Sequence, residues 1–81
     1  MERSQVRDEL RDFVTRQLMR DASYPLGDDE AIITGGLIDS FALAELAVFI
    51  ERRFKVFIPD PDLTVERMNT LEQIVQRVLA G

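Results

Sequence analysis

The sequence predicts a small all-α domain, a bundle of three main helices and one short helix, with a long loop between the first two main helices. Apolar residues recur at helical spacing in three separate segments. The chain has 81 residues, enough for one domain over residues 1–81 and no more. It contains no cysteine, so packing alone must stabilise the fold, without disulfides or thiolate metal sites.

The first helix is predicted over residues 4–20, with Ser4 as its cap and Arg16 and Arg20 in its last turns. Its apolar positions lie on one face, which we expect to be buried: Val6, Leu10, Phe13, Val14 and Leu18. No functional site is expected on this helix.

A long connection follows over residues 21–38, where proline and glycine interrupt regular structure. Such a loop in a small domain is functional or is held by its own side chains. The apolar residues that can hold it are Tyr24, Leu26, Ile32, Ile33, Leu37 and Ile38. The run Asp28-Asp29-Glu30 lacks the spaced ligands of a calcium loop, so we interpret it as a solvated acidic turn.

The second helix is predicted over residues 40–53, and one stripe of it should face the core: Leu43, Leu46, Ala47, Ile50 and Phe54. Other apolar residues fall off this stripe: Phe41, Ala44, Val48 and, at its border, Phe49. They form either an exposed contact patch or a second buried side. The pattern alone leaves both readings open.

The last third of the chain should hold an extended connector, a short helix and a final helix. Residues 54–58 have strand-like propensity but no partner strand, so we expect a connector that ends at Pro59 and Pro61. A short helix from Asp62 or Leu63 to Met68 comes next. Thr70 and Gln73 then form a capping box, and the final helix buries one face: Leu71, Ile74, Val75, Val78 and Leu79.

Negative charge is concentrated in the middle of the chain. The net charge is −5, and residues 21–51 contain seven acidic residues and no Lys or Arg. This distribution disfavours nucleic acid and anionic membranes and favours partners with basic docking patches, although an acidic loop can also serve solubility alone. The N-terminus lacks the apolar region of a secretory signal, and no apolar run has the length of a membrane span. We expect a cytoplasmic protein without membrane insertion.

Ser40 lies where the long loop meets the second helix, just after Gly35 and Gly36, which allow a sharp turn. Either Asp39 or Ser40 can cap this helix, and its N-terminus is a favourable place for a phosphate. A cap is the ordinary role of such a serine. The chain has no His and no Cys, so a Ser-His-Asp nucleophile is impossible within it. We therefore expect no catalytic residues, no metal ligands and no enzymatic activity.

Residues along the whole chain match one family pattern: Gly36-Leu37-Ile38-Asp39-Ser40-Phe41, Glu45-Leu46, Ile50-Glu51-Arg52-Arg53-Phe54, Ile58-Pro59 and Asn69-Thr70-Leu71. With these offsets the chain resembles the acyl carrier protein family, which includes aminoacyl and peptidyl carriers. The resemblance implies that Ser40, next to Asp39, is esterified by 4′-phosphopantetheine transferred from coenzyme A. The arm would carry an acyl or aminoacyl group as a thioester, and the protein itself would catalyse nothing.

The resemblance also implies partners and a docking surface. The partners would be a phosphopantetheinyl transferase, an acyl- or aminoacyl-loading ligase and a downstream acyltransferase, synthase or condensing enzyme. The docking residues carried over are Asp39, Phe41, Glu45, Val48 and Glu51. Nothing in the sequence argues for an oligomer, so we expect a monomer.

Two departures bear on the pathway. Phe41 follows the serine where many fatty-acid carriers have Leu, and Ala42 and Arg52 occupy positions that are often acidic in those relatives. The Asp-Ser-Phe variant is instead similar to stand-alone aminoacyl carriers such as D-alanyl carrier proteins. Fatty-acid, polyketide, nonribosomal-peptide and D-alanine pathways all stay open as sources of the cargo. The alternative to a carrier is a helical interaction module with an acidic docking face, in which Ser40 is only a cap.

Overall fold

The computed structural model describes all residues from 1 to 81, and it contains helices and no strand. Four α-helices follow one another along the chain: α1 (Arg3–Phe13), α2 (Ala42–Phe54), α3 (Val65–Met68) and α4 (Leu71–Ala80). A π-helical segment extends α1 over Val14–Leu18, and a 3₁₀ turn covers Asp60–Asp62. The predicted all-α class, with three main helices, one short helix and a long first loop, is confirmed. None of the helices combines the length and the apolar character needed to cross a membrane.

The first helix begins one residue earlier than its predicted cap. Glu2 is the capping residue, in extended conformation, and its carbonyl accepts a hydrogen bond from the Val6 N–H at 3.0 Å. A cap at Ser4 is therefore wrong, since Ser4 already lies inside the helix. At the other end, the wider π-helical turn continues to Leu18. Arg20 then takes a left-handed conformation with φ 57°, which ends the helical segment near its predicted boundary.

The second helix buries most of the predicted stripe, and its other two members, Ala47 and Phe54, are half-buried. Leu43, Leu46 and Ile50 are each at most 5% exposed and belong to the core. Phe49 lies at the edge of that stripe and is half-buried, because its ring stacks on Phe13 with centroids 4.2 Å apart. Phe49 therefore joins α2 to α1 and does not belong to an exposed patch.

A single hydrophobic core unites the helices with the long loop. Three of its members, Leu26, Ile32 and Ile38, come from the loop, so the loop is held by its own side chains as predicted. The others come from the helices and the connector: Val6, Leu10, Val14, Leu43, Leu46, Ile50, Ile58, Met68, Leu71, Ile74, Val75 and Val78.

The first half of the loop is also held by polar contacts. Arg11 donates from Nε to the Leu26 carbonyl at 3.0 Å and forms an ion pair with Asp28. The Asp28 carbonyl accepts from the Glu72 N–H, at the start of α4, at 2.9 Å. The interpretation of residues 28–30 as a merely solvated turn is therefore wrong for Asp28, which is bound between two helices.

The C-terminal third follows its prediction except at Leu79, whose predicted burial is wrong, because this side chain lies in the last turn of α4 and is 44% exposed. Lys55, with φ 61°, ends α2, and an extended connector leads to the 3₁₀ turn. The predicted short helix is divided, because α3 begins only after Thr64, whose side chain accepts from the Arg67 N–H. The capping box of Thr70 and Gln73 at the start of α4 is confirmed.

Candidate functional site

A tight turn leads into the candidate site. A side chain at Gly35 would place its Cβ 2.1 Å from the carbonyl oxygen of Ala31, and Gly36 has φ +82°, so both positions require glycine. The chain then folds back, because the Ile32 carbonyl accepts from the N–H groups of Leu37 and Ile38, both at 3.0 Å. Ile38 is buried, and the next two residues emerge at the surface in front of α2.

Asp39, and not Ser40, provides the side-chain capping bond in the turn that leads into α2, since Phe41, the residue next to the helix, provides none. The Asp39 Oδ1 accepts a hydrogen bond from the Ala42 N–H at 3.1 Å, whereas the Ser40 hydroxyl makes no hydrogen bond within the chain. Ser40 contributes only its carbonyl, which accepts from the Leu43 N–H at 3.2 Å. Its side chain is exposed. Of the two caps that the sequence left open, the structure selects the residue before the serine and leaves the serine oxygen free to react.

The backbone around Ser40 offers unused donors. The N–H groups of Asp39, Ser40 and Phe41 donate to no acceptor within the chain. They lie at the N-terminal end of α2, where the helix dipole adds a partial positive charge. An anionic group bound to the Ser40 oxygen would lie beside these donors, so the chemistry of this helix end suits a phosphodiester.

The outer face of α2 carries four of the five residues that the sequence analysis assigned to docking, and the fifth, Asp39, precedes the helix. Phe41 is 86% exposed and Val48 is 51% exposed, and Glu45 and Glu51 are exposed as well. Phe41, Glu45 and Val48 follow one another at intervals of four and three residues, so they share one side of the helix. For Phe41 and Val48 the structure thus favours an exposed patch over a second buried side of the helix. A role in docking stays a prediction.

Acidic residues on this face are free of ion pairs, unlike many acids elsewhere. Asp39, Glu45 and Glu51 have no basic partner within the chain, whereas Glu9 pairs with Arg53 at 2.5 Å and Asp28 pairs with Arg11. Part of the predicted acidic segment is thus neutralised by α1. Three unpaired acidic residues thus lie beside Ser40 and on the exposed side of α2, and the loop keeps three more, Asp21, Asp29 and Glu30.

The groups with shifted pKa values lie away from this face. The hydrogen bond from Tyr24 to the Glu30 carboxylate raises the pKa of the Tyr24 hydroxyl. The hydrogen bond from Arg3 lowers the pKa of Glu72. The structure contains no group of three or more His, Cys, Asp or Glu side chains that could hold a metal ion.

An open cleft lies beside Ser40, between the end of α1, the long loop and the start of α2. It has a volume of about 730 Å³, and its lining includes Leu18, Arg20, Leu37, Asp39 and Phe41. Sequence reasoning missed Arg20 here, because its left-handed backbone and its place at the cleft arise from the fold. It also assigned no role to Asn69, which binds the loop through contacts about 35 residues apart in sequence.

The fold and this helix end define a class of protein: a small helical module that presents an exposed, unbonded serine at the head of a helix whose outer face carries unpaired acidic residues. No protein-family model matches the chain. Two curated relatives are similar to it, the D-alanyl carrier proteins of Streptococcus suis strains 98HAH33 and 05ZYH33. Each is 28% identical over 74 residues, which cover 91% of this chain and 91% of the relative. These matches support a relationship with the carrier-protein family.

Proposed function

We propose that this chain is a carrier protein that holds an acyl or aminoacyl group as a thioester on 4′-phosphopantetheine attached to Ser40. One observation carries the proposal: the Ser40 hydroxyl is exposed and unbonded at the head of α2, because Asp39 supplies the cap. The similarity to D-alanyl carrier proteins over nearly the whole chain supports it.

The residues around Ser40 fit such a group. Its phosphodiester would lie near the free N–H groups of Asp39, Ser40 and Phe41. When attached, the arm supplies the thiol that this cysteine-free chain lacks. The protein's own part is to fix the attachment point on a rigid helix end and to leave it accessible.

A carrier of this kind needs partner enzymes that attach the arm, load its thiol and remove the cargo. A phosphopantetheinyl transferase would deliver the arm from coenzyme A, a ligase would load the thiol, and an acyltransferase, synthase or condensing enzyme would remove the cargo. The chain itself would act as a monomer and not as an enzyme. The names of the curated relatives make D-alanine the first cargo to test. A carrier that draws on coenzyme A and on loading enzymes would act in the cytoplasm.

A non-carrier interaction module is the competing function. The exposed acidic face of α2 would suit it. Such a module needs Ser40 only as a cap, and Asp39 already supplies that hydrogen bond. The carrier function is therefore the better explanation of a free serine at this position.

The test is the intact mass of the purified protein after incubation with coenzyme A and a broad-specificity phosphopantetheinyl transferase. The proposal predicts one pantetheine adduct per chain. The modified protein is then incubated with ATP, D-alanine and a D-alanine-activating ligase to test the cargo. Absence of any adduct on folded protein, with several transferases, would favour the interaction module.

A further inference from the structure

We infer that Asn69 is a positioning residue whose side-chain oxygen holds the loop in front of Ser40 and thereby sets how fast Ser40 is modified. This inference rests on the proposed function for its kinetic part. Asn69 lies between α3 and α4, with helical backbone angles at the C-terminal end of α3. It is 29 positions after Ser40 in the sequence, and no part of its role depends on contact with the serine.

Asn69 uses nearly all of its polar atoms on the loop. Its Oδ1 accepts from the N–H groups of Ile33 and Thr34, both at 3.0 Å. Its Nδ2 donates to the Thr34 Oγ1 at 2.9 Å, and its carbonyl accepts from the Ile32 N–H at 2.8 Å. Four hydrogen bonds thus join this one residue to three consecutive residues of the loop.

The loop residues that bind Asn69 are linked to Ser40 by the turn that follows them. The Ile32 carbonyl accepts from the N–H groups of Leu37 and Ile38, and the Ile33 carbonyl accepts from that of Gly36 at 3.0 Å. Residues 32–38 therefore form one closed unit, attached at its start to Asn69 and packed into the core by Ile32 and Ile38. Ser40 is two residues beyond the end of this unit. Its position relative to the bundle is therefore set on one side by this unit, through Asn69, and on the other by the start of α2.

The acceptor oxygen is the part of Asn69 that the inference depends on. Replacing Asn69 by Leu leaves the Ile33 and Thr34 N–H groups without an acceptor. Replacing it by Asp keeps an oxygen at Oδ1 and loses only the donor to Thr34. A carboxylate accepts at least as strongly as an amide. Asn69→Asp should therefore retain the loop conformation that Asn69→Leu loses.

A neighbouring residue offers a matched control. Gln73 accepts through Oε1 from the N–H groups of Asn69 and Thr70 and donates to the Glu66 carbonyl at 2.9 Å. It thus stabilises the same corner of the protein without any bond to residues 32–38. Gln73→Leu should weaken the corner and leave the loop attached.

The experiment measures amide hydrogen exchange and transferase kinetics on the wild type and these three variants. In Asn69→Leu we expect exchange at Ile33, Thr34, Leu37 and Ile38 to be at least about tenfold faster, because tenfold is the factor for one lost hydrogen bond and this variant loses three. The exchange rates of buried amides in α1 and α4 should all change by one common factor relative to the wild type. The kcat/KM for modification of Ser40 should fall in Asn69→Leu and stay near the wild-type value in Asn69→Asp and Gln73→Leu.

Two results overturn the inference. One is wild-type exchange in residues 32–38 together with wild-type kcat/KM in Asn69→Leu. The other is a loss of kcat/KM in Gln73→Leu as large as that in Asn69→Leu, because the effect would then follow general stability. If the wild type accepts no adduct, the proposed function fails and the kinetic part of the inference falls with it. The exchange data, which need no modification, still decide whether Asn69 holds the loop.

Discussion

The Oδ1 atom of Asp39 lies 3.1 Å from the backbone nitrogen of Ala42 and accepts its hydrogen bond. The residue before Ser40 therefore supplies the capping bond, and the serine hydroxyl makes no hydrogen bond within the chain. Two adjacent polar residues, which are interchangeable as caps from sequence alone, have different roles in the structure.

Because only Asp39 makes the capping bond, substitutions at the two positions should differ in their effect on stability. Asp39→Ala should lower the free energy of unfolding by about 0.5–2 kcal/mol, the usual effect of losing a helix cap. Ser40→Ala removes no hydrogen bond and should change it by no more than about 0.5 kcal/mol. Urea denaturation followed by circular dichroism measures both. A larger loss for Ser40→Ala than for Asp39→Ala would mean that the serine is the cap.

Charge reversal on the outer face of α2 should weaken docking without unfolding the protein. Glu45→Lys and Glu51→Lys remove unpaired negative charges, so each should raise the KM of the transferase and reduce its dependence on salt. Asp29→Lys is the matched control, since Asp29 is also exposed and unpaired but lies in the loop next to Asp28, away from α2. Equal kinetics for all three variants and the wild type would remove the docking role.

Truncation to alanine should destabilise the protein at a core position of α2 and hardly at all at a surface position. Ile50 is fully buried, so Ile50→Ala should lower the free energy of unfolding by about 2–5 kcal/mol. Val48 is 51% exposed, and Val48→Ala should stay within about 0.5 kcal/mol of the wild type. Thermal unfolding of the two variants is the measurement. Similar losses at both positions would show that Val48 is buried in solution, and the contact surface would need to be reassigned.

Glu72 should make stability depend on pH in the acid range. The hydrogen bond from Arg3 lowers its pKa in the folded protein below its ordinary value of 4.5. A lowered folded pKa means that the stabilisation is complete above the unfolded pKa and is lost as the pH falls through the folded one. Arg3→Gln should therefore be less stable than the wild type at neutral pH, and the difference should shrink below about pH 4. Denaturation curves at several pH values test this, and a difference that does not change with pH would contradict it.

Helical spacing was sufficient to predict the elements that bury a continuous apolar face. The capping box of Thr70 and most of the predicted faces of α2 and α4 follow from patterns within about ten residues and are confirmed. The exceptions are Leu79, which is exposed, and Ala47 and Phe54, which are half-buried. The predicted cap of α1 is wrong by two residues, because Glu2 caps the helix without a side-chain hydrogen bond that the sequence could indicate. The π-helical end of that helix and the left-handed Arg20 likewise depend on packing that no local pattern encodes.

Some features of the candidate site could likewise be predicted from the sequence, and others could not. The sequence and its family resemblance predicted Ser40 at a helix start, and the structure places it there with Phe41, Glu45, Val48 and Glu51 exposed on the same helix. The choice of Asp39 as the cap depends on side-chain geometry. The attachment of residues 32–34 to Asn69 depends on tertiary contact, so neither could be predicted from local sequence.

The most direct test of the carrier function uses the chain's three serines, Ser4, Ser23 and Ser40, all of which are exposed. Each is replaced by alanine in turn, and each variant is incubated with coenzyme A and the transferase before its intact mass is measured. The account predicts one pantetheine adduct on the wild type, Ser4→Ala and Ser23→Ala, and none on a folded Ser40→Ala. An adduct that persists in Ser40→Ala, or no adduct on any of the four proteins, would contradict it.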